Sequence, residues 1–276
     1  MSRIESPVYL FGKKGFSALK NFIEPGMLFA FDLDGTLAPI VSDPAAIGIP
    51  APVRKAFSRL TAQAAAAVIT GRSRADAFKY LGRTPRYLLG NHGVEGLPEW
   101  QARENEFART VQGWLNQLND LCPVAPENGI FIENKGFSLS IHYRHTQNRQ
   151  AAQNMILSAI QNLSPQPRRI GGKCVENLLP ADAPDKGAAF LILMHQGKYE
   201  KGFFVGDDET DESVFRLDQH NIFTVRVEKA VPSSAKFYLR KQNEIARLLN
   251  TLNKLLESHN EIHGHLKRTP NQKEDQ

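Results

Sequence analysis

The sequence predicts an α/β fold, with a parallel sheet and a smaller α+β domain inserted into it. Two observations indicate this. Short apolar runs alternate with helical segments over the first ninety residues and again after residue 184, and this rhythm is typical of a parallel sheet covered on both faces. Between these regions, apolar and polar residues alternate, which indicates an antiparallel sheet.

In the first region, three apolar runs predict buried strands and two periodic segments predict helices. The predicted strands are 27–33, 64–70 and 86–93, and the predicted helices are 51–63 and 73–82. The run MLFAFDL (27–33) is nearly continuous, as in strands that are buried on both faces. In the first helix, Val53, Phe57 and Leu60 recur at helical spacing and predict a buried stripe.

The middle region indicates a small α+β unit. We expect helices at 104–121 and 147–163, a hairpin over 129–144 and a strand at 173–179. In the hairpin, apolar residues alternate with Ser138, Ser140, His142 and Arg144, which predicts one buried face and one wet face.

The first pattern returns after Pro184. The predicted helices there are 185–196, 211–217 and 243–259, and the predicted strands are 201–208 and 221–227. We therefore expect residues 1–102 and 184–260 to form the core domain, 103–183 to form the inserted domain, and 261–276 to form a disordered tail.

The composition narrows the class of protein. A chain of 276 residues with 41% hydrophobic and 23% charged residues can bury a proper core. Two cysteines, Cys122 and Cys174, are too few for a disulfide framework and favour a reducing, cytoplasmic setting. No apolar run is long enough for a signal peptide or a membrane span. The net charge of +5 is not accompanied by an aromatic-basic platform, so we expect no nucleic-acid and no membrane partner.

Polar residues follow the predicted parallel strands at the points where the strands end. These residues are Asp32, Asp34, Thr70, Asp207 and Asp208, and Lys186 opens a helix. Because the carboxyl ends of parallel strands meet at one edge of a sheet, we expect these side chains to converge. Crowded carboxylates repel one another, and a hard cation such as Mg²⁺ removes that conflict and joins them to a phosphate.

This set of residues suits phosphoryl transfer. Asp32 beside Mg²⁺ can attack a phosphoryl group and form an aspartyl-phosphate, and Thr70 and Lys186 can hold the phosphate. Asp34 can act as general acid and base, provided that its side chain stays off the metal, so we expect only its backbone carbonyl to bind there. Taken singly, the segments have other interpretations, such as a turn, a calcium-loop fragment or a solvated acidic loop.

The chain resembles the phosphatases of the haloacid dehalogenase superfamily, and most closely the trehalose-6-phosphate phosphatase family. The shared motifs are DLDGT (32–36), TGR (70–72), NHG (91–93), ENKGFSLSIHYR (133–144), GGKCVENLLP (171–180), Lys186, GDDETDE (206–212) and SSAKFYL (233–239). The resemblance implies a Rossmannoid core with an inserted cap of the C2B type. It also implies Mg²⁺-dependent hydrolysis of trehalose 6-phosphate in trehalose biosynthesis, with a functional coupling to a trehalose-phosphate synthase.

The resemblance also implies roles for single residues. Asp32, the carbonyl of Asp34 and Asp207 would bind Mg²⁺, with Asp208 acting through water. The substrate-binding residues that it implies are Arg72, His92, Glu133, Lys135, Arg144, Lys173 and Glu176. Lysine and glutamate fit sugar hydroxyls, which need both donors and acceptors. The alternatives are surface charge pairs and, for His92, a packed turn residue. Asn91 stands where the family often has a small residue, a departure that would alter the edge of the pocket.

Other functions stay open at this point. Phosphatases acting on sucrose phosphate, glucosylglycerol phosphate or mannosylglycerate phosphate share the core motifs, and so do some phosphomutases. A catalytically inactive sugar-binding or regulatory protein could keep the same fold, although every proposed catalytic group is present. A nucleic-acid-binding protein has only the net charge in its favour.

Overall fold

The computed structural model describes residues 6–41, 47–121, 128–172 and 174–266, with side chains up to residue 261. The described residues form two compact units. The first comprises those of Met1–Thr70, Ala77–Leu88 and Lys186–Gln276, and the second comprises those of Gly71–Asp76 and Leu89–Asp185. Residues 71–76, 89–102 and 184–185, which we expected in the core domain, are therefore grouped with the second unit.

The strands are β1 (Val8–Tyr9), β2 (Leu28–Phe31), β3 (Ala65–Ile69), β4 (Tyr87–Leu89), β5 (Phe131–Asn134), β6 (Leu139–His142), β7 (Arg168–Gly172), β8 (Val175–Leu179), β9 (Gly202–Gly206), β10 (Ile222–Val227) and β11 (Phe237–Leu239). The helices are α1 (Lys13–Phe22), α2 (Ala51–Gln63), α3 (Arg74–Leu81), α4 (Gln101–Leu121), α5 (Arg149–Gln161), α6 (Lys186–Gln196), α7 (Glu212–Phe215) and α8 (Ile245–Leu266). None of these described helices is both long and apolar enough to cross a membrane.

A seven-stranded sheet with the order β1-β11-β10-β9-β2-β3-β4 forms the framework of the first unit. At its centre, β2 runs parallel to both β3 and β9. Phe31 of β2 packs edge-on against Phe57 of α2, within a cluster that also contains apolar residues of α8. On the other face, Phe204 of β9 contacts Phe190 of α6. The predicted parallel sheet with both faces covered is confirmed.

A four-stranded antiparallel sheet with the order β5-β6-β8-β7 forms the second unit together with α4 and α5. Leu139, Ile141 and Leu178 of the sheet pack in one cluster with Trp114 of α4 and Ile156 of α5. The apolar half of the predicted hairpin pattern therefore faces the two helices.

The predicted wet face of the hairpin is wrong at its two serines. Ser138 and Ser140 are 2% and 0% exposed. Their hydroxyls donate hydrogen bonds to Asn91 Oδ1 at 2.5 Å and Asn177 Oδ1 at 2.6 Å. Small hydroxyl side chains can be buried in this way because local polar partners satisfy them.

Several elements were not predicted. The strands β1 and β11 are only two and three residues long, and β7 has the sequence RRIGG, which lacks an alternating pattern. The helix α1 was also not predicted. The helix α8 continues to Leu266, past residue 261, where we expected a disordered tail to begin.

Candidate active site

Two neighbouring parallel strands of the first unit end in carboxylates. Asp32 follows β2 and Asp207 follows β9, and the backbone amide of Asp32 donates a hydrogen bond to Val205 O at 2.9 Å. Asp32, Asp207 and Asp211 each offer a carboxylate oxygen, and these atoms lie within 4.8 Å of one another. The structure thus brings Asp32 and Asp207 together and adds Asp211, which the sequence analysis did not assign to the site.

Lys186 lies inside this acidic group, at the first residue of α6. Its ammonium donates to Asp32 Oδ1 and to Asp211 Oδ1, both at 2.8 Å, and the side chain is 2% exposed. Burial opposes the charge of a lysine, but the two carboxylates outweigh it and hold the pKa of Lys186 well above its ordinary value. Lys186 is therefore a buried cation that fixes one oxygen of Asp32.

Asp211 organises the loop that carries Asp207. Its Oδ2 accepts hydrogen bonds from the backbone amides of Asp207 at 2.8 Å and Asp208 at 3.0 Å, and its Oδ1 accepts from Lys186. A Cβ on Gly206 would overlap the Asp211 side chain, so the backbone there must approach closely. Burial, together with the charge of Asp208 and against that of Lys186, raises the pKa of Asp211 to about 6. The only signal in the sequence is a third aspartate, four residues after Asp207.

The carboxyl groups of Asp207 and Asp32 also resist ionisation. Burial and the charges of Asp211 and Asp208 raise the pKa of Asp207 to about 7, although Thr36 Oγ1 donates to its Oδ1 at 3.1 Å. Burial raises the pKa of Asp32 well above its ordinary value, against the pull of Lys186. Negative charge is therefore in excess here, and the donors are all hard oxygens. This donor set fits a divalent cation.

The choice of metal ligands within the group follows from which oxygens are already used. Both oxygens of Asp211 accept hydrogen bonds from the protein, so Asp32 and Asp207 are the better candidates. Asp208, which we expected to act through water, lies outside the group of three. Its Oδ1 accepts from Thr210 N at 2.8 Å and Thr210 Oγ1 at 2.6 Å and so caps the turn.

The turn after β2 depends on Gly35. This residue has a φ of +85°, and its amide donates to Ala38 O at 2.8 Å. A Cβ at this position would overlap the carboxylate of Asp207. Asp34 is half-buried in the same turn. Thr70, which is 1% exposed, directly follows β3, the parallel neighbour of β2. Gly35, the residue after Asp34, therefore lies against the carboxylate of Asp207.

In the second unit, three of the predicted polar residues form a connected group. His142 Nε2 lies 2.9 Å from Glu133 Oε2, and Lys135 Nζ lies 3.8 Å from the same oxygen. The hydrogen bond with His142, and after it the charge of Lys135, lower the pKa of Glu133 against the effect of its burial. Glu133 is thus an ionised acceptor beside two donors, a combination that suits sugar hydroxyls.

The segment Gly71–Asp76 and the turn at 91–93 join this group. Lys135 Nζ lies 3.5 Å from Gly71 O, and Arg72 forms an ion pair with Asp76 at 2.7 Å. The ring of His92 lies against Gly71, where a Cβ would collide with it. Arg72 and His92 are therefore held next to the hairpin that carries Glu133 and Lys135.

We expected Asn91 to alter the edge of a pocket, but in the structure it is fully buried. Its side-chain Nδ2 donates to Lys135 O at 3.3 Å, and its Oδ1 accepts from the Ser138 hydroxyl. Its backbone N–H donates to Arg72 O at 2.7 Å. The Asn91 side chain, which has both a donor and an acceptor, therefore ties its turn to the hairpin at 135–138 and to Glu95, whose Oε2 accepts from its Nδ2 at 2.9 Å.

The expectation for Glu176 is corrected. Its register partner is Ile141, so it lies on the face that packs against the helices. It is 1% exposed, and its oxygens accept from Arg169 and Gln153 at 3.1 Å and from Tyr143 at 3.5 Å. Glu176 is an interior residue. Arg144 is exposed in the turn after β6, and Lys173 lies outside the described residues.

Comparison with known proteins identifies the relatives of this chain. Residues 30–243 match the trehalose-phosphatase family. Trehalose-phosphate phosphatase B of Arabidopsis thaliana is 26% identical over 242 residues, which cover 80% of this chain and 64% of the relative. A probable trehalose-phosphate phosphatase of Sinorhizobium fredii is 28% identical over 229 residues, which cover 81% of this chain and 85% of the relative. The chain thus spans less than two thirds of the Arabidopsis protein's length.

A solved structure supports the fold. The C-terminal domain of Candida albicans trehalose-6-phosphate phosphatase has a TM-score of 0.65 to this chain at 19% identity, covering 92% of this chain and 100% of that one. The predicted α/β fold, a parallel-sheet core with an inserted α+β domain, is confirmed. Since the family match extends over well more than half of the chain, the chain belongs to the trehalose-phosphatase family.

Proposed function

We propose that this protein hydrolyses trehalose 6-phosphate to trehalose and phosphate, with Mg²⁺ as its cofactor. The observation that carries the proposal is the buried group at the strand ends, in which Lys186 holds Asp32 beside Asp207. Membership of the trehalose-phosphatase family supports the choice of substrate. The alternatives among other sugar phosphates have no observation in their favour.

In the first step, Asp32 attacks the phosphorus atom. Lys186 Nζ holds Oδ1 of Asp32 at 2.8 Å, and Oδ2 is the oxygen that we propose as the nucleophile. A bond forms between Oδ2 and phosphorus while the bond from phosphorus to the sugar oxygen breaks. Asp34 gives a proton to that sugar oxygen, and trehalose leaves.

In the second step, Asp34 takes a proton from a water molecule. The resulting hydroxide attacks the phosphorus of the aspartyl-phosphate, which releases inorganic phosphate and restores Asp32. Thr70 and Lys186 hold phosphoryl oxygens through both steps, since a hydroxyl and an ammonium can donate to them.

Mg²⁺ would be held by Asp32, Asp207 and the carbonyl of Asp34, with Asp208 acting through water. When bound, the cation supplies positive charge that keeps the carboxylates ionised and offsets the charge of the phosphoryl oxygens. Asp211 contributes indirectly, because it fixes both Lys186 and the loop of Asp207.

Residues of the second unit would bind the sugar hydroxyls. Glu133 and Lys135, with Arg72 and His92 beside them, supply acceptors and donors for hydroxyl groups. Arg144 and Lys173 stay in the proposed set, whereas Glu176 leaves it because it is buried and already bound to three donors.

The cysteine content of the sequence supports a cytoplasmic location. A trehalose-phosphate synthase, as the source of the substrate, is the functional partner that we propose.

The test is phosphate release from trehalose 6-phosphate, sucrose 6-phosphate, glucosylglycerol phosphate and glucose 6-phosphate, with Mg²⁺ and with EDTA. We expect a strong, EDTA-sensitive preference for trehalose 6-phosphate. Preference for another substrate would refute the proposed specificity for trehalose 6-phosphate but not the proposed Mg²⁺-dependent attack by Asp32. Failure to release phosphate from any of them would favour an inactive sugar-binding protein.

A further inference from the structure

One face of the four-stranded sheet exposes an aromatic ring among polar groups. In the register of β5 and β6, Phe131 pairs with His142 and Glu133 pairs with Ser140. Residues two apart along a strand share a face, so Phe131, Glu133 and His142 lie on one face. Leu139 and Ile141, whose side chains pack with α4 and α5, lie on the other.

Phe131 is exposed but held in place. It is 58% exposed, although exposing a phenylalanine ring to water is energetically unfavourable. Its ring stacks on that of His142, with the centroids 6.0 Å apart and the planes at 28°. His142 in turn is fixed by its contact with Glu133 at 2.9 Å. The three side chains form a supported surface, which we name the Phe131 platform.

The chemistry of the platform fits one face of a pyranose ring. The axial C–H groups of a sugar are apolar and pack on an aromatic ring, while its hydroxyls need donors and acceptors at the rim. Here Glu133 supplies an acceptor, and His142 and Lys135 lie within 2.9 and 3.8 Å of it. A protein partner would need a wider apolar area than this ring supplies.

We propose that the Phe131 platform is a specificity site, on which a glucose ring of the substrate stacks. The inference rests on the proposed function and deepens it, because it names Phe131 as a residue that lets the enzyme distinguish a disaccharide phosphate from a small aryl phosphate.

The test compares Phe131→Ala with Phe78→Ala, a phenylalanine on α3 of the first unit that is also 58% exposed. We expect Phe131→Ala to lower kcat/KM for trehalose 6-phosphate about tenfold, mainly through KM. Turnover of p-nitrophenyl phosphate by Phe131→Ala should stay unchanged. Phe131→Trp should keep most of the wild-type kcat/KM for trehalose 6-phosphate, and Phe78→Ala should resemble the wild type. Equal losses on both substrates, or a change in oligomeric state with no change in KM, would overturn the proposal.

A second measurement does not depend on catalysis. Saturation-transfer NMR with trehalose should show binding to the wild type and to Phe78→Ala, and a clear loss in Phe131→Ala. No saturation transfer in the wild type, or equal transfer in all three proteins, would overturn the platform. An inactive wild type that still binds trehalose through Phe131 would instead refute the proposed reaction alone.

Discussion

At the scale of single residues, Gly35 controls the position of Asp207. Its φ of +85° lies in the left-handed region, where any side chain is strained, and a Cβ would overlap the Asp207 carboxylate. Gly26 has nearly the same φ, +84°, but nothing lies within 4 Å of its Cβ position. The two glycines therefore separate backbone strain from the collision with Asp207.

We expect Gly35→Ala to lower kcat/KM at least roughly a hundredfold, about 2.7 kcal/mol of transition-state stabilisation, because Asp207 must move. Gly26→Ala should cost about 1 kcal/mol of folding free energy and leave activity unchanged. Steady-state kinetics and thermal unfolding of both variants test this. Equal activity in the two variants would show that Asp207 tolerates displacement.

The sequence predicted single residues best where a strand end placed them. Asp32, Thr70 and Asp207 each follow a strand, and Lys186 opens a helix. Asp211 was missed because its contacts depend on how the loop 206–211 folds back on itself, which a spacing of four residues does not reveal. The burial of Asn91 was missed because its side chain is held by Lys135 and Ser138, more than forty residues away in sequence.

At the scale of elements, the register of β8 separates Glu176 from the polar residues of the hairpin. The strand reads VENLL, so either Glu176 or Asn177 could face the helices on pattern alone. The structure pairs Ser140 with Asn177 and Ile141 with Glu176. The sequence could indicate the strand but not which of its side chains face the helices, because a register shift of one residue exchanges the two faces.

Glu176→Ala should therefore act on stability. It leaves Arg169, Gln153 and Tyr143 without their acceptor, and we expect a loss of about 2 kcal/mol or more in the free energy of unfolding. Urea denaturation measures this. Glu133→Ala, at a half-exposed residue, is the matched control and should change stability little while it lowers turnover of trehalose 6-phosphate. A Glu176→Ala variant that is as stable as the wild type, with a selective loss on the sugar phosphate, would restore its role as a sugar ligand.

At the scale of the whole molecule, the acidic group links stability to pH and to metal. The pKa of Asp207 is raised from 3.8 to about 7 and that of Asp211 to about 6. Between the unfolded and folded values, the folded protein binds more protons than the unfolded chain. The free energy of unfolding of the metal-free protein therefore falls as pH rises through this window.

We expect the Tm of EDTA-treated protein to fall between about pH 5 and about pH 8, and Mg²⁺ to raise it more at the higher pH, since the ligands must be deprotonated. Differential scanning fluorimetry measures both effects. Asp207→Asn should reduce the pH slope, because Asp211 and Asp32 still contribute, and should remove most of the Mg²⁺ response. A metal-free protein that becomes more stable over this range would contradict the assignment.

Phosphate release from trehalose 6-phosphate by the wild type and by Asp32→Asn, both with Mg²⁺, shows whether Asp32 is the nucleophile. Asparagine keeps the shape of the side chain but is a poor nucleophile. We expect EDTA-sensitive release by the wild type and at least roughly a thousandfold less by the variant, about 4 kcal/mol. The circular dichroism spectrum of the variant should match that of the wild type. Wild-type rates in a folded Asp32→Asn protein would contradict nucleophilic attack by Asp32.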